Sequence, residues 1–178
     1  AHTLRHLNKW MRNQRVWTPL HLLPGSARIE RQPLGVVGII SPWNYPLQLA
    51  LGPAIAAMAA GNRVMLKPSE LTPHTSAQLA HLIGQFFTPE EFCVVQGDAQ
   101  VASQFSGLPF DHLVFTGSTA VGRKVAIAAA QHLTPTTLEL GGKSPCIISS
   151  DCDIEQAALR IAHGKLLNAG QTCIAPDY

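Results

Sequence analysis

The chain has 178 residues, a formal net charge of +2 and charged residues at only 13%, well below the roughly 25% of ordinary soluble domains. This small charge, with lysine and arginine scattered along the chain, excludes a nucleic-acid partner, because phosphate backbones bind to concentrated basic stripes. The longest apolar run, residues 49–60, contains a proline and is shorter than the 18 or more residues of a membrane span.

A polar helix is predicted up to about Arg15, followed by an extended stretch near residues 27–31. Short apolar runs then alternate with helical segments. The predicted strands are residues 35–40, 63–67, 92–97, 112–117, 137–140 and 146–149. The predicted helices are residues 47–60, 74–87, a short one after Asp98, 119–132 and 154–168, the last capped by Asp153. Continuous apolar runs between helices are typical of strands buried on both faces, so we expect an α/β fold with a doubly wound parallel sheet.

The four cysteines, Cys93, Cys146, Cys152 and Cys173, include no C-x-x-C pair and no histidine at zinc-finger spacing. We therefore expect free thiols, no metal site and a cytoplasmic location. Cys93 and Cys146 lie in predicted buried strands, which favours core packing. The amino-terminal segment is too polar for a signal peptide, and because residue 1 is not Met we expect the natural protein to extend upstream.

Polar residues follow the predicted strands at their carboxyl ends, where open α/β sheets bind ligands. Asn44 follows the first strand between two prolines, and Lys67 and Glu70 end the second. Each has a simpler interpretation as a turn residue or a solvated charge. Together, on one edge of one sheet, they predict a binding site.

Gly117 and Ser118 lead from a strand directly into a helix, where backbone N–H groups favour a phosphate; Ser118 could also be only a helix cap. The segment is neither a G-x-G-x-x-G motif nor a P-loop, since Arg123 stands where a P-loop has lysine. A phosphotransferase is therefore a weak alternative. In the following strand, alternation turns Glu139 away from the face of its leucine neighbours, towards a ligand or towards water.

Cys173 follows Gly170-Gln171-Thr172 and precedes a proline, in a loop where irregular backbone favours exposure. A structural thiol is more often buried in a helix or strand. The position therefore suits a reacting group.

Five motifs occur in order along the chain: PWNYP, KPSE, FTGSTAVG, LELGGKSP and NAGQTCIAPDY. On these motifs the chain from about residue 34 onward resembles the aldehyde dehydrogenase superfamily, and within it the coniferyl aldehyde dehydrogenases, near relatives of the class 3 and fatty aldehyde enzymes. The resemblance implies a Rossmann-like cofactor domain at residues 1–142, with an amino-terminal helical and extended segment, and the first, incomplete part of a catalytic domain at residues 143–178.

The resemblance further implies NAD(P)-dependent oxidation of an aldehyde, of the aromatic coniferyl type, to the carboxylic acid through a cysteine thiohemiacetal and a thioester. Cys173 matches the nucleophile, and Asn44 with the Cys173 backbone N–H matches the oxyanion donors. Glu139 matches the general base for thioester hydrolysis and a helper in deprotonating the thiol.

The resemblance implies a cofactor site in which Lys67 and Glu70 meet the adenosine ribose and the Gly117-Ser118 turn meets the pyrophosphate. A carboxylate near the 2′-hydroxyl repels a 2′-phosphate, so Glu70 favours NAD, although the adjacent lysine leaves NADP possible. The implied cofactor residues are Trp43, Lys67, Glu70, Phe115, Thr116, Gly117, Ser118, Val121 and Gly122.

The sequence leaves several alternatives open for the substrate and for the reaction. The substrate could be a fatty or other aliphatic aldehyde, or the thioester could pass to coenzyme A, against which Glu139 argues. The chain could also be a non-catalytic dinucleotide-binding module. Members of the superfamily continue well past the nucleophile and form homo-oligomers, so we expect the isolated chain to be inactive and prone to association.

Overall fold

The computed structural model describes residues 2–178, which form six helices, seven strands and two 3₁₀ turns. The helices are α1 (His2–Trp10), α2 (Gln48–Ala59), α3 (Pro73–Phe86), α4 (Ala99–Ser106), α5 (Thr119–Ala130) and α6 (Ile154–Leu166). The strands are β1 (Gln14–Val16), β2 (Ala27–Ile29), β3 (Val36–Ile40), β4 (Arg63–Lys67), β5 (Phe92–Val94), β6 (His112–Gly117) and β7 (Thr136–Leu140). The 3₁₀ turns are Leu20–Leu22 and Leu167–Gly170.

Strands β3 to β7 form one parallel sheet in the order β5-β4-β3-β6-β7. The chain first adds strands on one side of β3 and then crosses back to add β6 and β7 on the other. The direction of winding therefore reverses between β3 and β6. At such a switch point the loops leave in opposite directions and open a crevice at the carboxyl edge.

Two apolar clusters cover the two faces of this sheet. On one face, Val37 and Ile39 of β3 pack with α2 and α3. On the other face, Ile40 packs with the aromatic side chains of Phe105 and Phe115, beneath α4 and α5. Alternate residues of a strand point to opposite faces, so one apolar run supplies both clusters. The predicted doubly wound α/β fold is confirmed.

Local capping explains where two of the helices begin. The Asp98 carboxylate accepts hydrogen bonds from the backbone N–H groups of Gln100 and Val101, and the Asp153 carboxylate accepts one from Gln156. These bonds satisfy N–H groups that the first turn of a helix leaves without partners. Both predicted starts are confirmed.

The predicted strand at residues 146–149 is wrong. The segment has no strand structure, and Ile147 is 91% exposed. The run is apolar enough for a buried strand, but the chain has already left the sheet at Gly141 and Gly142. Its contacts lie instead with the last residues described, where the Cys146 N–H donates to the carbonyl of Tyr178 at 2.7 Å.

Strand β7 also differs from the expectation of burial on both faces. Leu138 and Leu140 pack against the core, whereas Thr137 and Glu139 are exposed. No helix covers the second face of this strand within residues 2–178. That face is therefore available to form the wall of a cavity.

The antiparallel pair β1–β2 includes a strand that the sequence pattern did not predict.

In the part of the chain that the structure describes, every helix is too short or too polar to cross a bilayer. The placement of a domain boundary after residue 142 stays a prediction.

Candidate active site

A cavity of about 960 Å³ lies between α2 and the face of β6 and β7 that carries Thr116 and Glu139. Its wall contains Asn44, Glu139 and Cys173. We call this space the cysteine cavity. Asn44 and Cys173 are 129 positions apart in the sequence. The three residues predicted to be catalytic nevertheless line one space.

Glu139 reaches the cysteine cavity because of strand alternation. Its neighbours Leu138 and Leu140 pack into the core on the other face of β7. In the parallel pairing, Glu139 lies opposite Thr116 of β6, which also lines the cavity. The Glu139 side chain is exposed and forms part of the cavity wall.

Asn44 is held by the loop that carries Cys173. Its Nδ2 donates to the carbonyl of Gln171 at 2.8 Å, and its own carbonyl accepts from Asn168 Nδ2 at 2.8 Å. A carboxamide carries two N–H groups. One of them is directed at the Gln171 carbonyl.

Cys173 is exposed and lies just beyond the 3₁₀ turn Leu167–Gly170. Of the four cysteines, all within the described residues, Cys173 is the one that lines the cysteine cavity. Burial raises the pKa of the Cys93 thiol, which keeps it protonated at neutral pH and therefore a poor nucleophile. Cys146 is half-buried and lies outside a strand, and Cys152 is exposed.

A second cavity of about 480 Å³ lies on the opposite face of the sheet, between α4, α5 and the carboxyl ends of β3 and β4. We call it the lysine cavity. Lys67 is only 1% exposed; its Nζ donates to the carbonyl of Pro68 at 2.8 Å and lies 3.6 Å from Glu70 Oε2. The interpretation of Lys67 as a solvated charge is therefore wrong. Predicted cofactor residues in the wall are Trp43, Lys67, Glu70, Phe115, Thr116, Gly117, Ser118 and Val121.

The two cavities meet at the carboxyl edge of the sheet. Pro42 and Trp43 after β3, together with the Thr116–Ser118 segment at the end of β6, line both of them. This is the point where the strand order reverses. A ligand that passes between Trp43 and Gly117 would lie in both cavities at once.

The start of α5 is shaped for close approach to a ligand. The Ser118 hydroxyl accepts a hydrogen bond from the Val121 N–H at 3.3 Å, so Ser118 is the helix cap as well as a wall residue. A Cβ at Gly117 would lie 2.5 Å from the Phe115 ring. The absence of a side chain at Gly117 therefore makes room for the Phe115 ring beside the helix N-terminus.

Gly122 has a different position from the other predicted cofactor residues. It is buried, and a Cβ there would lie 2.9 Å from Leu140 Cδ2. It belongs to neither cavity wall. Its placement indicates close packing of α5 on the sheet.

Sequence reasoning missed four residues of these loops. The Ser41 hydroxyl, at the end of β3, is buried in the wall of the lysine cavity with no hydrogen-bond partner among the described residues. Tyr45, Asn168 and Thr172 make hydrogen bonds between the Asn44 loop and the Cys173 loop. The sequence signal for Tyr45 and Thr172 is that they adjoin the predicted catalytic residues Asn44 and Cys173.

Within residues 2–178, no group of three or more histidine, cysteine, aspartate or glutamate side chains is placed to bind a metal ion.

Comparisons with known proteins show which family this chain resembles over its length. A model of the aldehyde dehydrogenase family matches residues 3–177. A probable coniferyl aldehyde dehydrogenase of Pseudomonas aeruginosa is 55% identical over 174 residues, which is 98% of this chain and 37% of that protein.

Two solved structures are also similar. One, described as the substrate-bound state of Staphylococcus aureus AldH, superimposes with a TM-score of 0.95 at 44% identity, covering 99% of this chain and 38% of that one. The other is a Mycobacterium tuberculosis aldehyde dehydrogenase complexed with NAD+, with a TM-score of 0.87, 36% identity, and coverage of 98% and 36%. The chain therefore spans little more than a third of the length of these relatives. On its sequence motifs, its fold and these matches, the chain belongs to the aldehyde dehydrogenase family.

Proposed function

We propose that the gene product containing this chain oxidises an aldehyde to a carboxylic acid with NAD(P) as hydride acceptor. The observation that carries the proposal is the junction of the two cavities. Cys173, Asn44 and Glu139 surround one cavity, and that cavity opens at the switch point into a second one lined by Lys67 and Glu70.

The lysine cavity fits the adenosine half of a dinucleotide. The Ser41 hydroxyl, 3% exposed and lacking a partner in the described chain, is a polar group that a ribose hydroxyl or a phosphate oxygen would satisfy. Lys67 and Glu70 offer a donor and an acceptor in the wall of this cavity. The N-terminus of α5, with Gly117 beside it, favours the negative charge of a pyrophosphate.

We propose NAD as the preferred cofactor. The Glu70 carboxylate is 44% exposed at the cavity, and its negative charge would oppose a 2′-phosphate. Bound in both cavities, the dinucleotide would supply the hydride acceptor beside the reacting carbon.

The Cys173 thiolate starts the reaction. Its sulfur forms a bond to the aldehyde carbon while the carbonyl π electrons move to oxygen, which gives a tetrahedral thiohemiacetal. The Asn44 amide and the Cys173 backbone N–H are proposed to stabilise this oxyanion. When the oxyanion collapses, the C–H bond breaks, the hydride leaves with its electron pair, and a thioester remains on Cys173.

Glu139 is proposed to complete the cycle. Its carboxylate takes a proton from a water molecule as the water oxygen attacks the thioester carbon. The C–S bond then breaks, the carboxylic acid leaves, and Cys173 returns as thiolate. The exposed position of Glu139 in the cysteine cavity supports this role, because water can reach it.

We propose an aromatic aldehyde of the coniferyl type as the substrate. The cysteine cavity has an apolar lining that suits a ring: Trp43, Leu49, Pro53, Val114 and Ile174. The similarity to a relative described as a probable coniferyl aldehyde dehydrogenase supports the same substrate class.

We also propose that the gene product is a homo-oligomer. Large apolar side chains of the β1–β2 region, including Trp17 and Leu20, are exposed in the chain. Light scattering of the purified gene product would measure its molar mass.

An aldehyde panel assayed on the complete gene product tests the proposed function. We expect coniferyl-type aldehydes to be oxidised faster with NAD than with NADP, and aliphatic aldehydes more slowly. Cys173→Ala should abolish turnover, whereas Cys152→Ala, at an exposed thiol outside both cavities, should preserve it. Persistent NADH formation by Cys173→Ala would rule out the proposed nucleophile.

A further inference from the structure

A hydrogen bond joins Tyr45 to Thr172 across 127 positions of the chain. Tyr45 Oη lies 2.7 Å from Thr172 Oγ1, and Thr172 Oγ1 donates to the carbonyl of Leu167 at 3.4 Å. A hydroxyl carries a single hydrogen. The contact with Leu167 is the longer of the two, and either hydroxyl can donate in the 2.7 Å bond.

Two further side-chain bonds connect the same two loops. Asn44 Nδ2 donates to the carbonyl of Gln171, and Asn168 Nδ2 donates to the carbonyl of Asn44, both at 2.8 Å. We call these two bonds and the Tyr45–Thr172 bond the loop clasp. Three residues that precede Cys173 are therefore bonded directly to Asn44 or Tyr45.

The Cys173 loop needs such support because its backbone is strained. Asn168, Ala169 and Gly170 have φ angles of 53°, 56° and 78°, three consecutive residues in the left-handed region. For alanine this conformation is unfavourable, because its Cβ approaches the following carbonyl oxygen. Strained backbone persists where surrounding contacts hold it, and it concentrates at functional sites.

We propose that Tyr45 and Thr172 are positioning residues that hold the sulfur of Cys173 and the amide of Asn44 in register around the reacting carbon. Neither residue is in the wall of either cavity, so the pair is proposed to act through the strained loop. The inference rests on the proposed function. It gives a role to two residues, Tyr45 and Thr172, for which the sequence motifs and the family match state none.

The first test is amide hydrogen exchange of the complete gene product without substrate. Tyr45→Phe removes one hydroxyl and is expected to speed exchange in the peptide that covers residues 167–173, while the core strands β3 and β4 stay protected. Tyr178→Phe is the matched control: it removes the hydroxyl of the other tyrosine of the chain, whose side chain is 75% exposed.

The second test separates positioning from binding by kinetics. Tyr45→Phe and Thr172→Val should each lower kcat about threefold to tenfold, which is the usual effect of losing one hydrogen bond. Because both variants remove the same bond, the kcat of the double variant should be no lower than that of the less active single variant. The KM for NAD should stay within about twofold, because the clasp lies outside the lysine cavity. Thr172→Ser keeps the hydroxyl and should restore kcat.

Unchanged exchange at residues 167–173 in Tyr45→Phe would overturn the inference, and so would fully multiplicative effects in the double variant. If the wild-type gene product oxidises no aldehyde, the proposed function fails, yet the exchange measurement still decides whether the clasp holds the loop.

Discussion

Thr116 and Glu139 lie directly opposite each other in the parallel pairing of β6 with β7, and both line the cysteine cavity. Thr116 lines both cavities, whereas Glu139 lines only the cysteine cavity. The register of one strand pair therefore places the proposed general base beside the junction and on the side of the nucleophile.

Glu139→Gln should separate the two halves of the proposed reaction. Thiohemiacetal formation and hydride loss need Cys173 and Asn44, so the variant should still release a burst of NADH close to one equivalent per site. Steady-state turnover should fall about 100-fold to 10,000-fold, because the water is no longer activated. Rapid-mixing absorbance measurements would resolve both phases.

The same variant discriminates between water and coenzyme A as the acyl acceptor. Stimulation of the wild-type enzyme by coenzyme A, with no loss of steady-state rate in Glu139→Gln, would indicate an acylating enzyme and refute the proposed role of Glu139.

Asn44→Ala should lower kcat more strongly than it changes KM. One oxyanion donor typically contributes about 100-fold to 1000-fold in rate. Because Asn44 also joins the Cys173 loop through its amide, Asn44→Asp is a useful second variant: it keeps the side-chain size but replaces the N–H donor with an acceptor. Equal activity of Asn44→Asp and wild type would exclude the amide as a donor.

Glu70→Gln should shift cofactor preference towards NADP. The change removes the negative charge that opposes a 2′-phosphate, while Lys67 keeps its bond to the Pro68 carbonyl. We expect the ratio of kcat/KM for NAD to that for NADP to fall by about tenfold, which corresponds to about 1.4 kcal/mol. The same change at Glu90, Glu90→Gln, is the control, because Glu90 is exposed and lies outside both cavities. It should leave the NAD to NADP ratio of kcat/KM unchanged.

The carboxyl edge of the sheet could be predicted because it follows from strand direction. Buried runs end at Ile40, Lys67 and Gly117, so the residues just beyond them share one edge whatever the details of packing. The burial of Lys67 could not be predicted in the same way. Its charge indicates solvent, and only the folded chain shows that the Pro68 carbonyl and Glu70 receive the ammonium group.

Contacts between distant loops lie outside the reach of local patterns. The Tyr45–Thr172 bond depends on how β3 and the Cys173 loop approach each other, which neither periodicity nor turn propensity encodes. The wrong strand at residues 146–149 has the opposite cause. Local apolar character favours a buried strand, but within residues 2–178 this segment has no strand structure and Ile147 is exposed.

Gly38→Ala should destabilise the sheet at its centre. A Cβ at Gly38 would lie 2.6 Å and 2.7 Å from atoms of the Phe110 ring and 2.9 Å from Leu113 Cδ1, all in a buried cluster. We expect the free energy of unfolding to fall by about 1–3 kcal/mol, the usual cost of overpacking. Denaturation of the complete gene product, monitored by circular dichroism, would measure it.

Gly84→Ala is the matched control for this substitution. Nothing lies within 4 Å of a Cβ at this exposed position in α3. Alanine is the better helix former, so this variant should be unchanged or more stable by up to about 1 kcal/mol. Equal stability of Gly38→Ala and Gly84→Ala would contradict the packing described for β3.

Asp177 forms ion pairs with two lysines near the carboxyl end of the described chain. Its carboxylate oxygens lie 2.8 Å from Lys143 Nζ and 3.2 Å from Lys165 Nζ. The hydrogen bond from Lys143, followed by that from Lys165, lowers the pKa of Asp177 below its ordinary value of 3.8. The same bond raises the pKa of Lys143 above 10.5. Asp177 thereby ties the segment after Cys173 to the segment after Glu139.

The sign of the pH dependence follows from the lowered pKa. A carboxyl group that is more acidic in the folded state stabilises the fold fully above its unfolded pKa, so the contribution of Asp177 is complete above 3.8 and is lost as pH falls below that value. Asp177→Asn should therefore lower the unfolding midpoint near neutral pH by a small amount. The difference from wild type should shrink as the pH falls from about 5 to about 3 and as salt is added. Lys143→Gln should have a larger effect than Lys165→Gln, because its bond to Asp177 is shorter. A wild-type to Asp177→Asn difference that is independent of both pH and salt would show that the aspartate acts by packing and not by charge.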